Sequence, residues 1–195
     1  CWMYGILHLT LSDLTAIEFS VPVFTAILAV MFLGETMWKH KWISTILGFF
    51  GVLIILQPEG SAFSTAGFVM LLGSFLYAGS GVLVKYLTRT ESPQSIIFYM
   101  NTLQLPLGLI PAIFIFDWVT PELIDIPWIL AWGLAGLAAH YTMARALKLA
   151  DITIIFPLDF LRLPLMAILG YLIYTEAINP WTAVGGIIIF GANYY

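Results

Sequence analysis

Two apolar runs in this chain open on a proline and close on a glutamate, and no other feature restricts the fold so strongly. The first goes from Phe19-Ser-Val-Pro22 to Leu33-Gly34-Glu35, the second from Phe160-Leu-Arg-Leu-Pro164 to Tyr174-Thr175-Glu176. Proline and glutamate stand 13 positions apart in the first and 12 in the second. Almost nothing polar lies between them, so each reads as a membrane-spanning helix with a proline inside and a carboxylate at its exit. A broken helix that occurs once in each half points to a carrier assembled from internal repeats.

Charge is scarce enough to settle the environment. The chain is 61% hydrophobic and 9% charged, with a mean hydropathy of +0.98. Soluble domains carry about 25% charged residues, and so few charges cannot cover the surface of a soluble core of this size. An all-α, polytopic membrane protein follows, with the lipid bilayer as its solvent. Cys1 is the lone cysteine, which excludes an internal disulfide and a cysteine-based metal site. With a pI near 5.1 and no basic run, the chain has no nucleic-acid footprint.

A spanning helix needs about 20 mostly apolar residues. On that ruler a partial segment covers Cys1 to Leu11, and further segments cover 13–34, 42–57, 66–87, 95–116, 127–149, 152–174 and 180–195. Turn chemistry separates them, for example Gln57-Pro-Glu-Gly60 and Thr88-Arg-Thr-Glu-Ser-Pro93. The chain begins and ends inside apolar stretches, so it reads as part of a longer polypeptide. Lys39, Lys41, Lys85, Arg89, Arg145 and Lys148 fall on every second connection, while Glu59, Asp117, Glu122, Asp125 and Glu176 fall on the others. Basic connections face the cytoplasm, which places the C-terminus there too. Segment 13–34 then delivers Glu35 inward and segment 152–174 delivers Glu176 outward, an inverted pair. Further text matches across the halves: Leu11-Ser-Asp13-Leu-Thr15 with Leu149-Ala-Asp151-Ile-Thr153, and Trp42…Gly48 with Trp181…Gly186.

These residues, Pro22-x12-Glu35 with Gly48 and Gly51, and Asp151…Pro157-Leu-Asp-Phe-Leu-Arg-Leu-Pro164…Glu176, resemble the paired EamA-type repeats of the drug/metabolite transporter superfamily. The stretch Asp159-Phe-Leu-Arg162 resembles a subgroup often labelled S-adenosylmethionine uptake transporters. The resemblance implies two inverted five-helix repeats. Residues 1–58 would hold the end of helix three with helices four and five, and 66–195 helices six to ten. It also implies a bacterial inner membrane and both termini in the cytoplasm. Thr175 departs from the family, which has glycine before its second glutamate.

An ionisable side chain at the bilayer centre costs about 2.5–3.5 kcal/mol, so it faces protein or water. Glu18, one turn before Pro22, is read either as a structural carboxylate or as a contact for a cationic solute or a proton. Asp159 and Arg162, three apart, either satisfy each other or meet the solute. Asn101 and Gln104 on one face of 95–116 either join helices or line the path. Tyr77 and Trp132 offer rings for a flat or cationic ligand. His140 and Tyr141 share a stripe with Arg145, which snorkels to the surface. Pro22 and Pro164 are candidate hinges, since each removes a backbone donor. Glu35 and Glu176 read as anchors or caps, and several glycines, including Gly48, Gly51, Gly81, Gly133 and Gly136, as sites of close helix approach.

No nucleophile–base set or spaced metal-ligand cluster occurs, so an intramembrane enzyme is disfavoured. The expected function is a secondary transporter moving a small organic solute by alternating access, with no bound cofactor and with proton or ion coupling left open. The alternative is a non-transporting membrane scaffold or receptor on the same repeat.

Overall fold

A computed structural model describes residues 1–57, 64–114, 120–174 and 180–194. Helices form α1 Trp2–His8, α2 Leu11–Glu18, α3 Val21–Leu28, α4 Lys39–Leu56, α5 Thr65–Leu87, α6 Pro93–Phe114, α7 Ile126–Leu149, α8 Ile152–Ile155, α9 Arg162–Tyr174 and α10 Pro180–Tyr194. No strand occurs among the described residues. Among the described residues, five stretches are long and apolar enough to cross a bilayer: Leu11–Leu33, Lys39–Leu56, Thr65–Leu87, Pro93–Phe114 and Ile152–Ile173. The protein is a polytopic helical membrane protein. The expected spans 127–149 and 180–195 are also helical. Helix α7 has 24 residues, but His140, Tyr141, Thr142 and Arg145 lower the hydropathy of its second half. Glu59, Asp117, Thr175 and Glu176 lie outside the described residues.

The chain divides into two compact units, 1–83 with 151–195, and 84–150. In the first unit, both proline-containing spans are broken, and the break precedes the proline. The Ser20 N–H turns back to the Ile17 carbonyl at 3.0 Å, so α2 ends in a tightened turn and α3 starts at Val21. Pro22 therefore occupies the first turn of a new helix, where its missing N–H costs nothing. The second span runs as α8, then a 3₁₀ segment over Phe156–Leu161, then α9. Pro164 is the third residue of α9. The broken helix expected in each half is thus divided ahead of its proline, which opens the second part. Prolines inside an unbroken helix are Pro106 and Pro111 of α6.

Beyond Leu28 the helix widens into a π turn over Ala29–Leu33 and stops at Gly34, which has φ +67°. That left-handed conformation favours glycine. It turns the chain so that Glu35 leaves the helix axis.

The core of this unit forms where the two breaks meet. Phe19, at the first, and Phe160, in the second, lie with ring centroids 5.9 Å apart and pack with Val52 and Ile189. Gly48 makes room for the Phe160 ring. Helices α4 and α10 touch backbone to backbone. A Cβ on Gly51 would lie 3.0 Å from the Gly185 carbonyl oxygen, and one on Gly185 would lie 2.6 Å from that of Gly51. Without a hydrophobic driving force between helices in lipid, such close approach supplies the van der Waals contact that holds them. Gly79, Gly133 and Gly136 have no described residue within 4 Å of an added Cβ.

In the second unit α6 packs on α7. Ser92 caps α6 by accepting from the Ser95 N–H at 3.1 Å. Lys85 donates to the carbonyls of Leu147 and Ala150, both at 2.7 Å, placing a cation on the negative end of α7.

Candidate functional site

The break between α2 and α3 and the 3₁₀ segment before α9 bring three charged groups together inside the bilayer span. Arg162 donates from Nη2 to Glu18 Oε1 at 3.0 Å. The same nitrogen is 3.7 Å from Asp159 Oδ2, an ion contact longer than a hydrogen bond. The guanidinium lies over the Phe19 ring, 4.9 Å from its centroid. Glu18 receives a second donor, the Trp2 indole N–H, at 3.3 Å. Tyr77 of α5 sits within electrostatic reach of Asp159, Glu18 and Arg162. The side chains of Glu18, Asp159 and Arg162 are 30%, 44% and 47% exposed, so all three are partly buried.

This arrangement bears on two sequence readings. Glu18, read either as a structural carboxylate or as a solute contact, has partners on other elements, one of them 144 positions away. Asp159 and Arg162 are not a self-sufficient pair, because the shorter bond of Arg162 goes to Glu18.

The hinge candidates Pro22 and Pro164 are both buried beside this group. Neither can donate to the carbonyl four residues back, those of Glu18 and Phe160. One turn beyond Pro22, the Thr25 hydroxyl is fully buried and has no hydrogen-bond partner among the described residues.

The remaining candidates lie in the second unit. Asn101 and Tyr141 line a groove of about 600 Å³ between α6 and α7, with Gln94, Phe98 and Thr102. The Gln94 amide donates to the Tyr141 hydroxyl at 3.3 Å, and Arg145 lies over the Tyr141 ring at 5.9 Å. Gln104, Trp132 and His140 are exposed and do not line that groove.

Sequence reasoning missed a third cluster. Lys41, taken as a loop charge, is only 7% exposed, with Nζ 2.8 Å from Asp151 Oδ2 and 3.0 Å from Thr153 Oγ1. Glu35 accepts from the N–H groups of Ile152 and Thr153, at 3.0 and 3.2 Å, and from the Thr153 hydroxyl at 2.8 Å. Its expected capping role is thus realised on a helix 117 positions away. The signal in the sequence was the recurrence of Leu11-Ser-Asp13-Leu-Thr15 as Leu149-Ala-Asp151-Ile-Thr153, although Asp13 lies in the first turn of α2 and Asp151 precedes α8. It marked Asp151 but gave no hint of Lys41.

Residues 1–57 and 64–194 match the model of the EamA-like transporter family. A riboflavin transporter of Brucella anthropi is 31% identical over 100% of this chain and 70% of its own length. An S-adenosylmethionine uptake transporter of Rickettsia bellii is 31% identical over 100% of this chain and 66% of its own. A pseudopaline exporter of Pseudomonas aeruginosa is 27% identical over 97% and 66%. The chain thus spans about two thirds of the length of these relatives. A crystal structure superposes with a TM-score of 0.83 over 98% of this chain and 70% of that one, at 16% identity, a likeness of fold alone.

Proposed function

Because the chain belongs to the EamA-like transporter family, we propose that it is the greater part of a secondary transporter that carries a small organic metabolite by alternating access. The observation that carries this reading is the Glu18–Arg162–Asp159 group at the meeting point of two broken helices. Charges inside a span are costly and face protein or water, and discontinuous helices supply solute sites in carriers built from repeats. Family membership, rather than any missing catalytic residue, sets the chain among transporters and apart from enzymes.

In this reading Glu18, Asp159, Arg162 and Tyr77 contact the solute, and the backbone ahead of Pro22 and Pro164 flexes as the site changes sides. Asn101, Gln104, Trp132, His140 and Tyr141 form a second set of candidate contacts on α6 and α7. The relatives are named for riboflavin, S-adenosylmethionine and pseudopaline, so the solute of this protein belongs among metabolites carrying rings or several charged groups. Their names include both uptake and export, and direction does not follow from the family. A bacterial inner membrane, a cytoplasmic C-terminus and inverted repeats over 1–58 and 66–195 complete the proposal.

Uptake by the intact polypeptide in vesicles, with radiolabelled riboflavin, S-adenosylmethionine and amino acids, tests it. Saturable uptake of one of them above empty vesicles is the expected result. Equal counts with and without protein for every solute, in both vesicle orientations, would contradict it.

A further inference from the structure

We infer that Asp159 selects the charge of the solute, so that the group entering beside it carries one positive charge. The inference deepens the transport proposal and rests on its placement of the site at Glu18, Asp159 and Arg162. In the unit formed by 1–83 and 151–195 the basic side chains other than histidine are Lys39, Lys41 and Arg162. Lys41 is engaged by Asp151, and Lys39 stands exposed at the first turn of α4. Among the described residues of this unit, Arg162 is therefore the one basic side chain that faces the two carboxylates.

The geometry divides that one cation unequally. Glu18 holds the guanidinium at 3.0 Å and a Trp2 N–H besides. Asp159 has only the 3.7 Å ion contact and accepts no hydrogen bond among the described residues. Two carboxylates and one guanidinium leave one negative charge unmatched, and it lies on the carboxylate with the fewer partners. Two aromatic rings flank the place. Phe19 already receives Arg162 on its face, and Tyr77, 57% exposed, is within electrostatic reach of Asp159. A carboxylate beside an open aromatic face is the chemistry that takes up ammonium, sulfonium or pyridinium groups. Inside a membrane span one unmatched charge is screened weakly, so it governs which solutes approach.

The test reads the local potential without needing the natural solute. In a Cys1→Ser background, Tyr77→Cys is labelled in vesicles with methanethiosulfonate reagents of similar size bearing trimethylammonium, hydroxyl or sulfonate ends. The trimethylammonium reagent is itself the probe cation. Its rate relative to the hydroxyl reagent, normalised to free 2-mercaptoethanol, should be about tenfold above unity, and that of the sulfonate about tenfold below. Adding Asp159→Asn should return both ratios to near unity, whereas adding Arg162→Gln should raise the cation preference further. Leu158→Cys, 46% exposed next to Asp159, serves as a second reporter if Tyr77→Cys fails to fold. Ratios of unity with Asp159 present, or ratios unmoved by Asp159→Asn, overturn the inference. Uptake failing while the ratios hold would instead remove the transport reading and leave the charge of the site standing.

Discussion

Arg162 and Lys41 show how the same chemistry was legible in one place and hidden in another. A charge inside an apolar run announces itself, so Glu18, Asp159 and Arg162 stand out as candidates in the sequence alone. Which of them pair is not visible, because the partners come from helices 144 positions apart. Lys41 looks like an ordinary loop cation, and only its burial against Asp151 and Thr153 reveals a structural role. Lys41→Met should lower stability by about 1–3 kcal/mol, since it removes a charged donor and leaves a half-exposed Asp151 without its cation, while Thr153 keeps its bond to Glu35. A melting curve in detergent checks this; an unchanged midpoint would mean that water replaces the ammonium without loss. Arg162→Gln should harm folding more than Glu18→Gln, because it strands two carboxylates where Glu18→Gln keeps an acceptor for Arg162. The yield of monodisperse protein for the two variants, measured side by side, decides the order.

At the scale of elements, the sequence located the helices well. The expected segments 66–87 and 127–149 are observed as Thr65–Leu87 and Ile126–Leu149, because charges and turn residues bound long apolar runs. The internal divisions were harder to read. Proline restricts the residue before it and is accepted in a first turn, so the same letters fit a kink or a fresh start. The breaks at Phe19–Ser20 and over Phe156–Leu161 resolve that in favour of a fresh start. Pro22→Ala restores a donor for the Glu18 carbonyl. Slower amide exchange across residues 17–24 with reduced transport is expected; faster exchange there would contradict the hinge. The backbone contact of α4 and α10 gives a matched test. Gly51→Val should cost about 1–3 kcal/mol by overpacking, while Gly136→Ala, with open space around it, should be neutral or stabilising by up to about 1 kcal/mol.

For the whole molecule, family membership was carried by order and duplication: proline to glutamate twice, with Asp13 and Asp151 at the start of the divided helices. The two compact units follow packing and do not coincide with the proposed repeats 1–58 and 66–195. Sidedness remains a property of charge placement. Single cysteines at Lys39 and Arg89 should label from one face of intact cells, and Glu59 and Glu122 from the other, after Cys1 is replaced. Positions 39 and 122 labelling from the same face would remove the orientation. The central claim is that the charged group at the junction of the two broken helices handles the solute. Initial uptake rates of the intact polypeptide and of its Glu18→Gln and Asp159→Asn variants, in vesicles at matched protein content, test it most directly. The account predicts that each variant inserts normally and loses about tenfold or more in rate; wild-type rates in both would place the solute elsewhere.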